Sequence, residues 1–210
     1  MKPRDLLLSR FRESVVPFFE SHGFRFSASK PAFSRTAGMA KQRVDVALDR
    51  HNVEGSCSFW TIWNVSAPAY RKWFEAEWGR ATENDALGGA SEWNIPGWTR
   101  GIGHFHLTGG AGDESELRAF LHDVEHAGLP FLERLSTWEG AADFCRASRW
   151  MYDRAADFLL IAGQPERARE TLLEGARTFT TGGRHDALQE LPRIRARLER
   201  YFPGAEGSVA

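Results

Sequence analysis

The sequence predicts an α+β protein in which an antiparallel meander of four to five strands packs on an N-terminal helix and precedes a helical C-terminal half. Within residues 24–107, apolar residues recur with a period of two, whereas helical spacing comes before and after them. Strands first and helices afterwards are typical of α+β architecture. The spacing divides the chain into a sheet domain at 1–137, a helical extension at 138–202 and a flexible tail at 203–210.

The first predicted element is an amphipathic helix at residues 4–22. Its apolar side is formed by Leu7, Phe11, Val15 and Phe18. Pro17 predicts a break or kink in the last turn, because proline cannot donate the helical hydrogen bond. Gly23 is a stop signal for this helix.

The strands follow as period-two runs at Phe24–Phe26, Val44–Leu48 and Ser56–Val65, with a last strand near 102–107. Residues 49–55 form a polar hairpin loop between the second and third of these runs. In the third run both alternating sets contain large apolar residues. We therefore expect a central strand that is covered on both faces.

A short helix at 67–78 and a long loop at 79–101 complete the predicted sheet domain. Loops of this length are often functional. Trp93, Trp98 and Arg100 are its candidate binding residues, since an exposed tryptophan anchors protein recognition. The alternative, that both rings tuck back and hold the loop down, stays open.

After Asp113 the chain shows helical spacing throughout. The predicted helices cover 114–127, 129–136, 139–147, 149–162, 165–179 and 185–201. On the last helix, Arg193, Arg197 and Arg200 form a basic stripe opposite the apolar positions. Such a stripe fits an acidic partner or phosphates, although a solvated helix face is the simpler interpretation.

Two histidine pairs are candidate metal ligands. His122, Glu125 and His126 form an H-x-x-E-H segment, the order found in a class of zinc proteases. At 100° per residue, however, both histidines fall about 140–180° from Leu117 and point away from the apolar side. His104 and His106 share one face of the predicted last strand, and a half-buried polar face is the simpler interpretation of that pair.

Composition disfavours several classes of function. A formal net charge of −1 disfavours nucleic-acid binding, and no apolar run approaches the roughly 20 residues of a membrane span. The run at Leu6–Leu8 is too short for a signal peptide, and Cys57 and Cys145 do not form a disulfide framework, so we expect a cytoplasmic protein. No nucleophile elbow, P-loop or dinucleotide motif occurs, so no catalytic residue and no cofactor is predicted.

Residues 5–135 resemble a bacterial family of domains of unknown function, DUF 4304. The similarity lies in the opening helix before Gly23-Phe24-Arg25, the Phe33 and Arg35 strand, the strand pair ending at Phe59–Val65, the tryptophan-bearing loop and the helix ending at Pro130-Phe131. Some related bacterial domains look like immunity proteins that neutralise toxins by binding them. The resemblance therefore implies a protein partner and transfers no functional residue.

The segment Tyr152–Glu174 looks like a single tetratricopeptide-type helix hairpin around Gly163-Gln164-Pro165. Such arrays need about three repeats to bury a continuous core, and this chain has room for about one and a half. The leading hypothesis is thus a non-catalytic protein-binding module of immunity or adaptor type. The alternative is a metal-dependent hydrolase that uses residues 122–126.

Overall fold

The computed structural model describes residues 1–82, 84–149, 151–181 and 187–204. The chain divides into two compact units, Met1–Ser136 and Thr137–Ala210, here named the sheet unit and the helical unit. Residues 205–210 of the predicted tail lie outside the described residues. No helix in the described part of the chain is long and apolar enough to cross a membrane.

The sheet unit confirms the predicted α+β class. Its antiparallel strands run in the order β1-β2-β3-β4-β5, and β6 adds a further strand that also pairs with β4. The strands are β1 (Arg25–Ser27), β2 (Ala32–Ala37), β3 (Ala40–Leu48), β4 (Cys57–Ser66), β5 (Ala86–Ser91) and β6 (Phe105–Leu107). Since β5 pairs with Ile62–Ser66 and β6 with Cys57–Phe59, the two strands share one edge of β4.

The helices of the sheet unit are α1 (Pro3–Arg10), α2 (Val16–Ser21), α3 (Pro68–Trp78), α4 (Asp113–Asp123) and α5 (Leu129–Leu135). Wider π-helical turns join α1 to α2 and α4 to α5, at Phe11–Val15 and Val124–Gly128. Each wide turn ends two residues before a proline, Pro17 or Pro130. The predicted first helix therefore continues past Pro17 without a break, because the extra residue accommodates the missing N–H donor.

The predicted end of the first helix is confirmed at Gly23. This residue has a φ of +79°, a left-handed conformation that glycine adopts without steric cost. It turns the chain from α2 into β1, and the N–H of Phe24 donates to the carbonyl of Phe19 at 3.0 Å.

The core of the sheet unit is built largely from aromatic rings. Phe11 packs edge-on to Phe59 at 5.1 Å between ring centroids, and Phe105 packs edge-on to Phe120 at 5.0 Å. Such pairs add to the hydrophobic stabilisation from burial. Gly128 in the second wide turn lets the helix approach Trp63 closely, since a Cβ there would lie within 2.8 Å of three indole atoms.

The prediction that both faces of the central strand are covered is wrong. Along β4 the burial alternates: Phe59, Trp63 and Val65 face the core, whereas Trp60 is half-buried and Ile62 is 36% exposed on the other face. On the inner face, Phe19 of α2 contacts Trp63, Phe120 of α4 contacts Phe59, and the Leu132 carbonyl of α5 accepts a hydrogen bond from Gln42. The second apolar set of β4 is thus left on the outer face.

The predicted loop at 79–101 contains a strand. β5 begins at Ala86, and Glu92–Asn94 form a 3-10 turn directly after it. Gly88 and Gly89 concealed this strand, because glycine has low strand propensity. Gly89 is required here, because a Cβ would lie 2.7 Å from the backbone oxygen of Trp63 on β4.

The helical unit consists, in the part described, of antiparallel hairpins. Its helices are α6 (Trp138–Ala147), α7 (Tyr152–Ile161), α8 (Pro165–Thr181) and α9 (Ala187–Tyr201). The turn between α7 and α8 contains Gly163 at a φ of +71°. Gly175 lets α8 approach α7, because a Cβ would lie 2.6 Å from the Cβ of Tyr152.

The predicted basic stripe on α9 is wrong at Arg197. This guanidinium is buried and donates to both carboxylate oxygens of Asp157, at 2.7 and 2.6 Å, and it lies 3.4 Å from Asp153. Arg197 follows Ile194 by three residues and therefore lies on the buried side of the helix. It joins α9 to α7 and offers no charge to a partner.

Candidate functional site

The candidate site is the outer face of the sheet, which has two parts. The register places Arg25, Ser34, Arg43 and Asn64 in one cross-strand row, and Thr36, Lys41 and Ser66 in the next; we name these the basic rows. Towards the opposite end of β4 lie Trp60, Ile62, Trp93 and His104, which we name the aromatic patch. Helices α2, α4 and α5 pack on the other face.

The aromatic patch is held by ring stacking. His104 stacks on Trp60 with 4.5 Å between ring centroids and 18° between planes. The Nδ1 atom of His104 lies 3.1 Å from a carboxylate oxygen of Asp49. The backbone N–H of His51 lowers the pKa of Asp49; burial opposes this shift, and the His104 ring adds to it.

Trp93 is assigned to this patch from its position in the chain. It follows β5, whose last residue Ser91 pairs with Ile62. The Trp93 side chain is half-buried, so part of it faces solvent. Of the two tryptophans predicted as anchors, only Trp93 lies where a partner could contact it.

Trp98 is a core residue and not an exposed anchor. It is 9% exposed and packs edge-on against Trp63 at 5.8 Å between ring centroids. Its indole also contacts the rings of Phe105 and Phe120. For Trp98, therefore, the alternative interpretation is correct: its ring packs into the core and anchors the loop.

Arg100 is likewise a tether within the fold. Its guanidinium donates to both carboxylate oxygens of Glu116, at 2.5 and 2.8 Å, and to the carbonyl of His104 at 2.9 Å. The neighbouring Thr99 hydroxyl donates to the buried carboxylate of Asp123 at 2.7 Å. Together these bonds fasten the loop to α4, and they correct the prediction that Arg100 binds a partner.

The basic rows line a cavity of about 720 Å³ at one end of the outer face. Arg25 and Lys41 are exposed there, and Arg43 pairs with Asp45 on the same strand. Arg35 contributes from the edge, where it donates to the Gln42 side chain at 2.6 Å and to the His22 carbonyl at 2.6 Å. Burial lowers the pKa of Arg35, and Glu133 partly offsets this shift.

A buried carboxyl group lies under the sheet edge, between β5 and β6. Glu92 is fully buried and accepts hydrogen bonds from the Thr61 N–H at 2.8 Å and the Thr61 hydroxyl at 2.5 Å. Its other oxygen has no partner among the described residues. Burial raises the pKa of Glu92 to about 7, against the opposing effect of the Thr61 hydrogen bonds. This residue carried no sequence signal, because it lay in the predicted loop.

The first predicted metal segment lies on the surface, as its helical angles predict. His122, Glu125 and His126 are exposed, and the two imidazoles lie 4.2 Å apart between ring centroids with their planes tilted by 31°. Nδ1 of His126 lies 2.8 Å from the His122 carbonyl oxygen.

The second histidine pair points to the outer face. His104 contacts Asp49, whereas Nδ1 of His106 lies 2.9 Å from the Ser58 hydroxyl. No group of three or more potential metal ligands occurs within the described ranges. The metal-dependent hydrolase stays a prediction, which elemental analysis of untagged protein would test.

The remaining predicted residues are on α9. Arg193 is exposed and pairs with Glu190 at 3.4 Å. Arg200 is exposed beside the Tyr201 ring. With Arg197 buried, the three arginines do not form one surface.

Both cysteines are buried inside the fold. Burial raises the pKa of Cys57 to about 11 and that of Cys145 to about 12. At neutral pH neither residue supplies the thiolate that nucleophilic chemistry requires.

Comparisons of the chain with family profiles, curated proteins and solved structures find no match. The resemblances to the DUF 4304 family and to a tetratricopeptide hairpin therefore stay predictions. Function is inferred from the geometry of the outer face.

Proposed function

We propose that the chain is a non-catalytic protein-binding module that uses the aromatic patch to contact a partner protein. One observation carries this proposal: Trp60 and Ile62 project from the central strand β4 onto the outer face, where Trp60 is half-buried and Ile62 is 36% exposed. A central strand that is apolar on both faces normally has both faces covered. A partner would supply the second cover.

The patch has the composition of an interface centre. Aromatic residues are enriched where protein interfaces are fully buried, and tryptophan is a frequent hot-spot residue. Trp60 is already fixed by its stack on His104, so little side-chain entropy is lost on binding. Ile62 lies between Trp60 and the basic rows, where it would be completely covered by a docked surface.

The role as an immunity-type or adaptor protein is the finer part of this proposal. It is supported by the resemblance of residues 5–135 to a bacterial family with immunity-like relatives. A bacterial cytoplasm is the matching location. The partner would then be encoded close to this chain, as toxin and immunity genes are in pairs.

A photo-crosslinking amino acid at position 62 of the full chain would identify the partner in the cell of origin. With the purified partner, Ile62→Ala and Trp93→Ala should each weaken binding by about 2 kcal/mol, measured by isothermal titration calorimetry. Leu188→Ala is the matched control, because Leu188 is an 88% exposed aliphatic residue on α9 of the helical unit and does not belong to the patch. Unchanged affinity in both patch variants would show that the partner binds elsewhere.

A further inference from the structure

The cavity of the basic rows has a charge composition that the protein-binding proposal does not use. Four cationic residues line it: Arg25, Lys41 and Arg43 project from the outer face, and Arg35 lies at its edge with its side chain turned to the inner face. None of its described lining residues carries a carboxylate. The chain as a whole has a formal net charge of −1, so this concentration of positive charge is local.

Two of the four cations are engaged within the fold. Arg43 is held by Asp45, with its Nε 2.8 and 2.9 Å from the two carboxylate oxygens. Arg35 is held by the Gln42 side chain and the His22 carbonyl, and it lies 3.9 Å from Glu133. Arg25 and Lys41 form no ion pair with any described residue and are exposed in the cavity.

Hydroxyl groups alternate with these cations across the strands. Ser34 lies between Arg25 and Arg43 in one row. Lys41 lies between Thr36 and Ser66 in the next. Neighbouring strands are about 4.8 Å apart, so the Cα atoms of Arg25 and Arg43 are separated by about 10 Å. Long cationic side chains on that spacing can converge on one group, with hydroxyls between them as further donors.

We propose that this cavity binds a small phosphorylated ligand, with Arg25 and Lys41 as its charged anchors. Arginine matches the geometry of phosphate oxygens, and lysine supplies a compact point charge. The cationic and hydroxyl donors of the two basic rows outnumber the two oxygens of one carboxylate. Phosphate groups offer more acceptor oxygens and match this set of donors better. A volume of about 720 Å³ lies within the range of small-ligand sites.

The test is a titration of the full chain with inorganic diphosphate, in low salt and without divalent cations, by calorimetry and by amide chemical shifts. Saturable binding should be weakened about tenfold by Arg25→Gln and by Lys41→Gln, since a hydrogen bond to a charged group is lost in each. The matched controls are Arg12→Gln and Lys72→Gln, which change exposed cations on α1–α2 and α3, outside the cavity lining. Succinate, which carries two carboxylates, should bind more weakly than diphosphate.

Three outcomes would overturn the proposal. They are the absence of saturable diphosphate binding, equal binding by the two cavity variants and the controls, and binding of a single-stranded oligonucleotide in the absence of diphosphate binding. The last outcome would assign the cavity to a nucleic-acid backbone. Because the test changes no residue of the aromatic patch, its failure leaves the protein-binding proposal standing, and the reverse also holds.

Discussion

Replacing Glu92 by glutamine isolates the energetic effect of a carboxyl group that is fully buried beside β4. Both Thr61 donors bond to a single oxygen of this group, Oε2. The amide oxygen of glutamine can accept both bonds in the same place. The substitution therefore removes the titrating proton and keeps the hydrogen bonds and the volume.

The magnitude follows from the shift in pKa. Burial raises the pKa of Glu92 from 4.5 to about 7, and each pKa unit corresponds to about 1.4 kcal/mol. Between these two pH values the folded chain retains a proton that the unfolded chain has lost. The stability of the native protein should therefore fall by about 3 kcal/mol as pH rises from 4.5 to 7 on account of this group, and then level off.

The measurement is urea unfolding of the native chain and of Glu92→Gln at several pH values from 4.5 to about 8. The difference between their unfolding free energies should be small at the acidic end and grow to about 3 kcal/mol in favour of the variant near neutrality. Glu125→Gln, at an exposed carboxylate, is the control and should show little change. A difference for Glu92→Gln that does not vary with pH would refute the reasoning.

Two further substitutions test packing in each unit. Gly128→Ala should destabilise the sheet unit by about 2 kcal/mol or more, because the added Cβ collides with Trp63. Gly112→Ala is the control and should leave stability unchanged, because the space around Gly112 is open. Thermal unfolding of the two variants measures the difference. Arg197→Met should cost the helical unit about 3–5 kcal/mol, because it leaves the buried carboxylate of Asp157 without its guanidinium. Adding Asp157→Asn should recover part of that loss, and additive effects in denaturant titrations would contradict the proposed coupling.

Local periodicity was sufficient to predict most elements of the chain. The first helix, the long strands β3 and β4, α3 and the helices after Asp113 all have apolar spacings that match their structure. These patterns are reliable because the residues that set them lie within one element. β5 was missed for the opposite reason: Gly89 is required by its close contact with β4, a strand distant in the sequence, and glycine weakens the local strand signal.

The candidate site depended on information that spacing does not contain. The second apolar set of β4 was visible in the sequence, but whether anything covers it depends on which face the helices select. The basic rows need the register of three strands before Arg25, Lys41 and Arg43 come together on one face. The sequence does contain a signal for the outer face, because each of these three cations is adjacent in its strand to an inward-facing residue.

The unpaired stretch of β4 between β5 and β6 has a consequence for how the sheet is aligned. Neither β5 nor β6 pairs with Thr61. The backbone N–H of Thr61 instead donates to the side-chain carboxylate of Glu92, which takes the place of a strand carbonyl. A slip of β5 by one residue would turn this side chain to the opposite face and leave that rung of the ladder empty. One carboxyl group thus fixes where β5 ends and, on the same edge, how much of β4 is left for β6.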